Sequence, residues 1–376
     1  MNNYLSKENQ QWVEETWNKL DKKLSKVTLR SKNKLPYSTV NGGHDNRAET
    51  DIGWWTNGFW GGLNWLMYVG TGKEIYKETA VCSEEMLDGV FDIPKRLDHD
   101  AGFIWHLTAG IDYRLTGNEQ SFNRNYKAAM SLMSRFNMRG NFIRAWNTDE
   151  AKGWSIIDCM MNLPLLYWAS NALKDDRFTQ IAKAHADMAM QQHIRPDGSV
   201  NHIVVHNPDT GEFVESRGGQ GYGVGSSWSR GCAWALYGFA LSYAYTNEER
   251  YLDTAKKVAH YFISCLSLTE WLPLTDFRSP ETPVLYDSTA GACAACGLLE
   301  IAKHVSEYEK RLYVDAALKI LQAMEKSWCN WEENEDSILQ MGMLKYDYMQ
   351  QEPIIYGDYF FAEAILKLKN PKFSAW

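Results

Sequence analysis

The chain has 376 residues, a formal net charge of -8 and 45% hydrophobic residues, enough apolar material for a sizeable core. Its lysines and arginines are scattered without a basic stripe, which argues against a nucleic-acid partner. The apolar stretch over 60–69 is broken by Gly61, Gly62 and Asn64, so no run reaches the length of a membrane span. The seven cysteines are odd in number and dispersed, as in a reduced cytoplasmic protein rather than a disulfide framework. The opening residues, Met1 to Glu8, are polar and lack the apolar centre of a signal peptide. A cytoplasmic location is therefore expected. With 16 Trp and 20 Tyr, aromatic rings must fill much of the core, and such rings also stack on sugars.

In chain order, residues 8–24 read as an amphipathic helix with Trp12, Val13, Trp17 and Leu20 on one side. Residues 31–51 are polar and without period, hence a long loop. The stretch Gly53-Trp54-Trp55-Thr56-Asn57-Gly58-Phe59-Trp60 opens a helix through residue 69; Thr71-Gly72 breaks it, and a second helix covers 74–90. This unit recurs. Polar turns at Thr116-Gly117-Asn118, Lys174-Asp175-Asp176, Thr246-Asn247-Glu248 and Val305-Ser306-Glu307 each join an aromatic-rich helix to a more charged one. Ala-rich helices follow over 126–133, 181–191, 255–263 and 316–324. Such self-similarity marks stacked helical pairs. The count is about twelve helices in roughly six pairs, with little strand signal. The first member of each pair looks buried all round and the second half exposed. A single all-α domain over 1–376, built as a closed double ring of six inner and six outer helices, fits that contrast. An open superhelix is the alternative, but it requires polar capping repeats.

In such a ring the irregular segments 31–51, 92–99, 137–153, 201–225, 272–285 and 330–356 collect at the N-terminal ends of the inner helices, where function is expected. The fourth contains a predicted hairpin, 202–205 with 212–214. Four of the inner-helix starts carry an Asp: Asp100, Asp158, Asp287 and Asp358. An N-cap role is strong for Asp358 and fair for Asp287. It is weaker for Asp100 and Asp158, which sit beside Phe103-Ile104-Trp105 and Met160-Met161. Apolar surroundings raise a carboxyl pKa, as a general acid requires, and two facing carboxylates are the minimal equipment for glycosidic chemistry.

The histidines His99, His202 and His206 match no metal-ligand spacing, and His202 reads instead as a single polar contact to a substrate. The glycines of Arg217-Gly218-Gly219-Gln220-Gly221-Tyr222-Gly223 lack the surrounding βαβ unit of a dinucleotide site and read as a loop that lets backbone approach a ligand. Arg230, one turn into an apolar helix, needs an anion: an Asp partner or a substrate carboxylate. Cys293 and Cys296 lie among small residues, a packing pattern rather than a redox or zinc motif. No metal or cofactor is expected.

Trp55-Thr56-Asn57-Gly58-Phe59-Trp60, Asp100-Ala101-Gly102-Phe103, the run from Ile156 to Leu166, Ser227-Trp228-Ser229-Arg230-Gly231, Asp287-Ser288-Thr289-Ala290 and Gly357-Asp358-Tyr359 occur in this order. Together they resemble the unsaturated glucuronyl hydrolases, the family 88 glycoside hydrolases, from about residue 8 to 369. The resemblance implies an (α/α)6 barrel that removes the 4,5-unsaturated uronic acid left by polysaccharide lyases, by hydrating its vinyl ether. It implies Asp158 as the residue that protonates C4 and deprotonates the water adding at C5, with Asp100 as second carboxylate. It implies Trp55 and Trp228 walling the sugar, and His202, Gln220 and Arg230 holding its polar groups and carboxylate. The implied partner is an unsaturated uronic-acid oligosaccharide, a disaccharide first of all, and the chain is expected as a monomer or homodimer. Two departures stand out. Asn57 replaces an Asp of the family pattern, removing a charge expected at the cleft rim, and Met343-Leu344 look poorly suited to sulfate. The rival readings are the sister family of unsaturated rhamnogalacturonyl hydrolases and a non-catalytic helical toroid that binds carbohydrate.

Overall fold

Short polar turns cut the apolar sequence into helices, and four of them do so by the same device. Gly72, Gly117, Lys174 and Asn247 adopt the left-handed conformation, and the N–H of each donates to the carbonyl four residues back, which satisfies an orphan helix-end acceptor. The computed structural model describes residues 5–376; Met1, Asn2, Asn3 and Tyr4 of the polar opening segment lie outside the described residues. Among the described residues there are twelve α-helices. They are α1 (Lys7–Arg30), α2 (Asn57–Thr71), α3 (Glu74–Met86), α4 (Ala109–Thr116), α5 (Glu119–Met133), α6 (Leu163–Leu173), α7 (Arg177–Gln192), α8 (Ser229–Thr246), α9 (Glu249–Leu266), α10 (Ser288–His304), α11 (Glu307–Trp328) and α12 (Ile355–Lys369).

The expected contrast within pairs holds. In α10 every residue from Ser288 to Ala302 is buried. In α9 a stripe of Tyr251, Leu252, Ala255, Val258, Ala259, Phe262 and Leu266 is buried at the 3–4 spacing of a one-sided helix. The even-numbered helices pack on one another: α6 on α8, α8 on α10, α10 on α12, and α12 back on α2. A π-helical turn, Gly102–His106, leads into α4 and touches both α2 and α6. α1 lies across α12 and α3. Trp60, Trp65, Trp105 and Trp234 are fully buried, so much of the Trp excess is core. Among the described residues no helix is long and apolar enough to cross a membrane.

Three local features differ from the sequence reading. The outer helices begin earlier than their Ala-rich centres, because their first turns are polar and exposed. The hairpin pairs Ile203–His206 with Phe213–Arg217, and a third strand, Trp154–Ile156, joins its free edge antiparallel, with Ile156 opposite Ile203. Asp358 is not an N-cap. It lies inside α12, and its carboxylate accepts the N–H groups of Ile338 and Leu339 at 2.9 and 2.6 Å, tying the 330–356 segment to the helix. Burial raises its pKa to about 7 despite those two bonds. Asp287 does cap α10, accepting from the Thr289 N–H at 3.1 Å.

Candidate active site

A cavity of about 1050 Å³ opens where the irregular segments meet, lined by Trp54, Trp55, Asp98, His99, Asp100, Trp146, Asp158 and Gln220 among others. Its position follows from chain direction: the residues just before the inner helices face one another across it.

Asp158 is placed by strand pairing. Ile156 pairs with Ile203, and the Ile157 N–H donates to the His202 carbonyl at 3.1 Å. The chain then turns through a 3-10 segment, Ile157–Met161, instead of entering the helix directly. Asp158 caps nothing. Its Oδ1 stands 3.6 Å from His202 Nε2, beyond hydrogen-bond reach, and both atoms are buried without another partner. Two unsatisfied polar atoms aimed at one point of a cavity wall are what a ligand-binding site leaves open.

His202 is held in one tautomer. Its Nδ1 accepts the Gln220 N–H at 3.0 Å, so Nε2 carries the proton facing Asp158. The indole of Trp228 backs the imidazole, with ring centroids 4.2 Å apart. The glycine-rich loop makes this contact possible. Gly219 has φ +60°, and a Cβ there would stand 2.0 Å from His202 Nδ1.

Asp100 stands two residues before the start of the π turn at Gly102. The Phe103 N–H donates to the Asp100 carbonyl at 3.0 Å. Its carboxylate accepts the Asn162 amide at 3.0 Å and lies 3.5 Å from His99 Nε2. Asn162 Oδ1 takes the Phe103 N–H at 2.9 Å, which fixes the amide's orientation and turns its NH2 toward Asp100. The same NH2 reaches the Asp158 carbonyl at 3.3 Å. Asn162 thus couples the two acidic segments, a role the sequence reading missed. The available signal was a lone amide inside Met160-Met161-Asn162-Leu163, since a buried polar residue is the informative exception in an apolar run.

The two carboxyls differ in their pKa, and not as the apolar run suggested. Burial pushes Asp158 up, but His202, His99 and Arg230 outweigh it, and the pKa ends below the ordinary carboxylate value. Burial pushes Asp100 up as well, the negative charges of Asp98 and Asp158 add to it, and its pKa lies well above the ordinary value. The expectation of a raised pKa at Asp158 is therefore corrected: of the two carboxyls it is Asp100 whose pKa is raised. Hydrophobic neighbours in sequence set the burial, while for Asp158 the polar groups brought in from other segments overturn its sign.

The remaining predicted residues separate into two groups. Trp55 and Gln220 line the cavity. Trp55 packs on Phe103 and Tyr356 at centroid distances of 5.6 and 5.0 Å. Gln220 donates through Nε2 to the Leu344 carbonyl at 2.8 Å, joining two loops of the wall. Trp228 and Arg230 stand behind the wall, both buried. The Arg230 guanidinium binds Asp287 and the carbonyls of Met343 and Leu344, with its carbon 4.5 Å from the Trp228 ring centroid.

Both sequence departures also look different in place. Asn57 is fully buried and is not at the cavity rim; its NH2 donates to the carbonyls of Asp51 and Ile52 at 3.0 and 2.8 Å, bonds an ionised carboxylate could not make. Met343 is buried, while Leu344 and Lys345 reach the cavity. A cation therefore stands beside the apolar pair that looked unsuited to an anionic group.

The sequence profile of Glycosyl Hydrolase Family 88 matches residues 23–366. The unsaturated glucuronyl hydrolase of Bacillus sp. (strain GL1) is 33% identical over 362 residues, which is 93% of this chain and 96% of that protein. The unsaturated chondroitin disaccharide hydrolase of Streptococcus pyogenes serotype M1 is 31% identical over 83% of this chain and 80% of its own. The crystal structure of the Bacillus sp. GL1 enzyme, described as responsible for the degradation of glycosaminoglycan, superposes with a TM-score of 0.89 at 31% identity, covering 94% of this chain and 97% of that one.

Proposed function

The chain belongs to glycosyl hydrolase family 88, and from that premise and the cavity's geometry we propose that it releases a 4,5-unsaturated uronic acid from the non-reducing end of lyase-generated oligosaccharides, disaccharides first. The observation that carries this reading is the pair of unequal carboxyls, Asp158 and Asp100, in one aromatic-walled cavity with a tautomerically fixed histidine facing Asp158.

The reaction is a hydration. Asp158 gives a proton to C4 of the C4=C5 double bond and takes one from the water whose oxygen bonds to C5, so that it ends as it began. The hemiketal so formed opens and releases the aglycone. In the open cavity the Asp158 pKa is held below the ordinary carboxylate value and the Asp100 pKa is raised above it. The substrate brings its own carboxylate and displaces water, and both changes raise the pKa of a neighbouring carboxyl, which favours the protonated form of Asp158 that the first step needs. His202 and Gln220 bind ring hydroxyls, and Trp55 stacks on the sugar, as a flat apolar face with a polar edge does. Trp228 fixes His202 from behind. Arg230 supplies positive potential for the substrate carboxylate while holding the 343–344 backbone.

The scaffold is read as a single-domain (α/α)6 barrel, which the alternation of buried and half-buried helices and the return contact of α12 on α2 support. A cytoplasmic location is supported by seven unpaired cysteines, four of them buried, since free thiols persist in reducing compartments.

The test is spectroscopic. Hydration destroys the conjugation between the double bond and the carboxyl, so ultraviolet absorbance falls as an unsaturated glucuronyl disaccharide is consumed. Asp158→Asn preserves shape and should abolish the signal with little change in melting temperature. Normal turnover by that variant would sink the assignment. Faster loss with an unsaturated rhamnogalacturonide than with any glucuronide would move the chain's activity to that substrate class.

A further inference from the structure

Trp376 is buried among the inner helices and does not line the cavity. Its indole meets five other rings. The ring of Phe360 is nearly parallel to it at 6.3 Å, and Phe103, His106, Tyr237 and Tyr359 lie at centroid distances of 6.0, 6.5, 6.1 and 6.5 Å. The indole N–H donates to Glu363 Oε2 at 3.2 Å. The Arg114 guanidinium holds the backbone behind it, donating to the carbonyls of Ser374, Ala375 and Trp376. This is a specific seat rather than a loose apolar contact.

Two of the five rings, Phe103 and His106, lie within the π turn Gly102–His106. A π turn is rare and is retained where surrounding structure imposes it. Trp376 supplies part of that surrounding structure from one side. Elsewhere Phe103 meets Trp55 and Trp234 at 5.6 and 5.2 Å, so its ring stands between Trp376 and the cavity wall. The Phe103 N–H bonds Asn162, whose amide holds the Asp100 carboxyl. The path from Trp376 to Asp100 therefore runs through one ring and one amide, both buried and both in direct contact with the next group.

We propose that Trp376 is a positioning residue for the reaction: its indole holds the π turn against Phe103 and His106, and through Phe103 and Asn162 it sets the orientation of the Asp100 carboxyl. The inference rests on the reading of Asp100 as a catalytic carboxyl. Displacements of about 1 Å in a reacting constellation cost on the order of 100-fold, so even a partial relaxation of the turn is visible in the rate.

The test compares Trp376→Leu, Trp376→Phe and Asp100→Asn in the full chain, on an unsaturated glucuronyl disaccharide, well below each melting temperature and per folded molecule. Trp376→Leu should lower kcat about tenfold, leave KM within about twofold, and move the limb of the pH profile that Asp100 controls. Trp376→Phe should restore most of kcat. The groups facing Asp100, namely Asp98, His99, Arg135, Asp158 and Asn162, are unchanged in both Trp376 variants. If Trp376→Leu does not accumulate as folded protein, Trp376→Met, which keeps more apolar volume, is judged by the same criteria. A lower melting temperature with unchanged kcat and pH profile would overturn the inference and leave Trp376 as core filling. Wild-type kcat in Asp100→Asn would instead overturn the reading of the site itself, whatever the Trp376 variants do.

Discussion

Gly219→Ala should disable the site without touching any group that reacts. The loop passes so close to His202 that the new Cβ would stand 2.0 Å from Nδ1, and the imidazole must retreat by roughly 1.4 Å to reach van der Waals contact. The retreat breaks the 3.0 Å bond from the Gln220 N–H that fixes the tautomer. It also shifts Nε2 away from its place 3.6 Å from Asp158 Oδ1. Alanine at φ +60° adds about 1–2 kcal/mol of backbone strain, which pushes the loop, and Gln220 with it, toward a different path. A misplacement of this size is worth about 100-fold in kcat/KM, or close to 2.7 kcal/mol of transition-state stabilisation. The assay is the loss of ultraviolet absorbance from an unsaturated glucuronyl disaccharide, run in parallel with thermal melting. His202→Ala and the double variant complete a cycle: since Gly219→Ala acts through His202, it should cost little more once His202 is gone. Gly219→Ala with kcat/KM within twofold of wild type would refute the reasoning, and so would full additivity of the two substitutions.

Three further outcomes follow from the same geometry. The Asp100 carboxyl has a folded pKa above its ordinary 3.8, so the stability associated with its neutral form is complete below that value and declines as pH climbs toward the folded pKa. Asparagine cannot ionise, and the melting temperature of Asp100→Asn relative to wild type should therefore be higher at pH 7 than at pH 4; calorimetry at the two pH values decides. Asn162→Leu strips the Asp100 carboxyl of its amide donor and the Phe103 N–H of one of its two acceptors and should cost about 1–3 kcal/mol of stability together with a larger fall in kcat than in affinity, read from denaturation and steady-state kinetics. Arg230→Met leaves the Asp287 carboxylate buried and unpaired, at about 3–5 kcal/mol. Adding Asp287→Leu should recover much of the melting temperature but not the activity, which separates the scaffold role of Arg230 from its proposed field at the substrate.

Several parts of this molecule were legible one residue at a time. The polar turns are helix ends because Gly, Asn and Lys in left-handed geometry close them. The buried and half-buried helices differ in composition as they differ in position. Asp287 reads correctly as a cap and as the partner Arg230 requires. Asp358 reads wrongly, because a carboxylate four residues into a helix looks like a start when the loop whose N–H groups it binds is distant in sequence. The third strand, Trp154–Ile156, escaped notice for a related reason. Three residues carry no period, and only the free edge of the hairpin makes them a strand.

The amino-acid sequence alone determined that the chain is helical, that Asp100 and Asp158 sit where apolar helices begin, and which aromatic and polar residues accompany them. These are local matters, set by periodicity, turn chemistry and residue order. Which carboxyl has the raised pKa was decided by tertiary structure. Burial pushes both up; at Asp100 the charges of Asp98 and Asp158 add to it, while at Asp158 His202, His99 and Arg230 outweigh it. Electrostatic energy depends on distance through space, and the strand pairing that brings His202 to Asp158 crosses more than forty residues of chain.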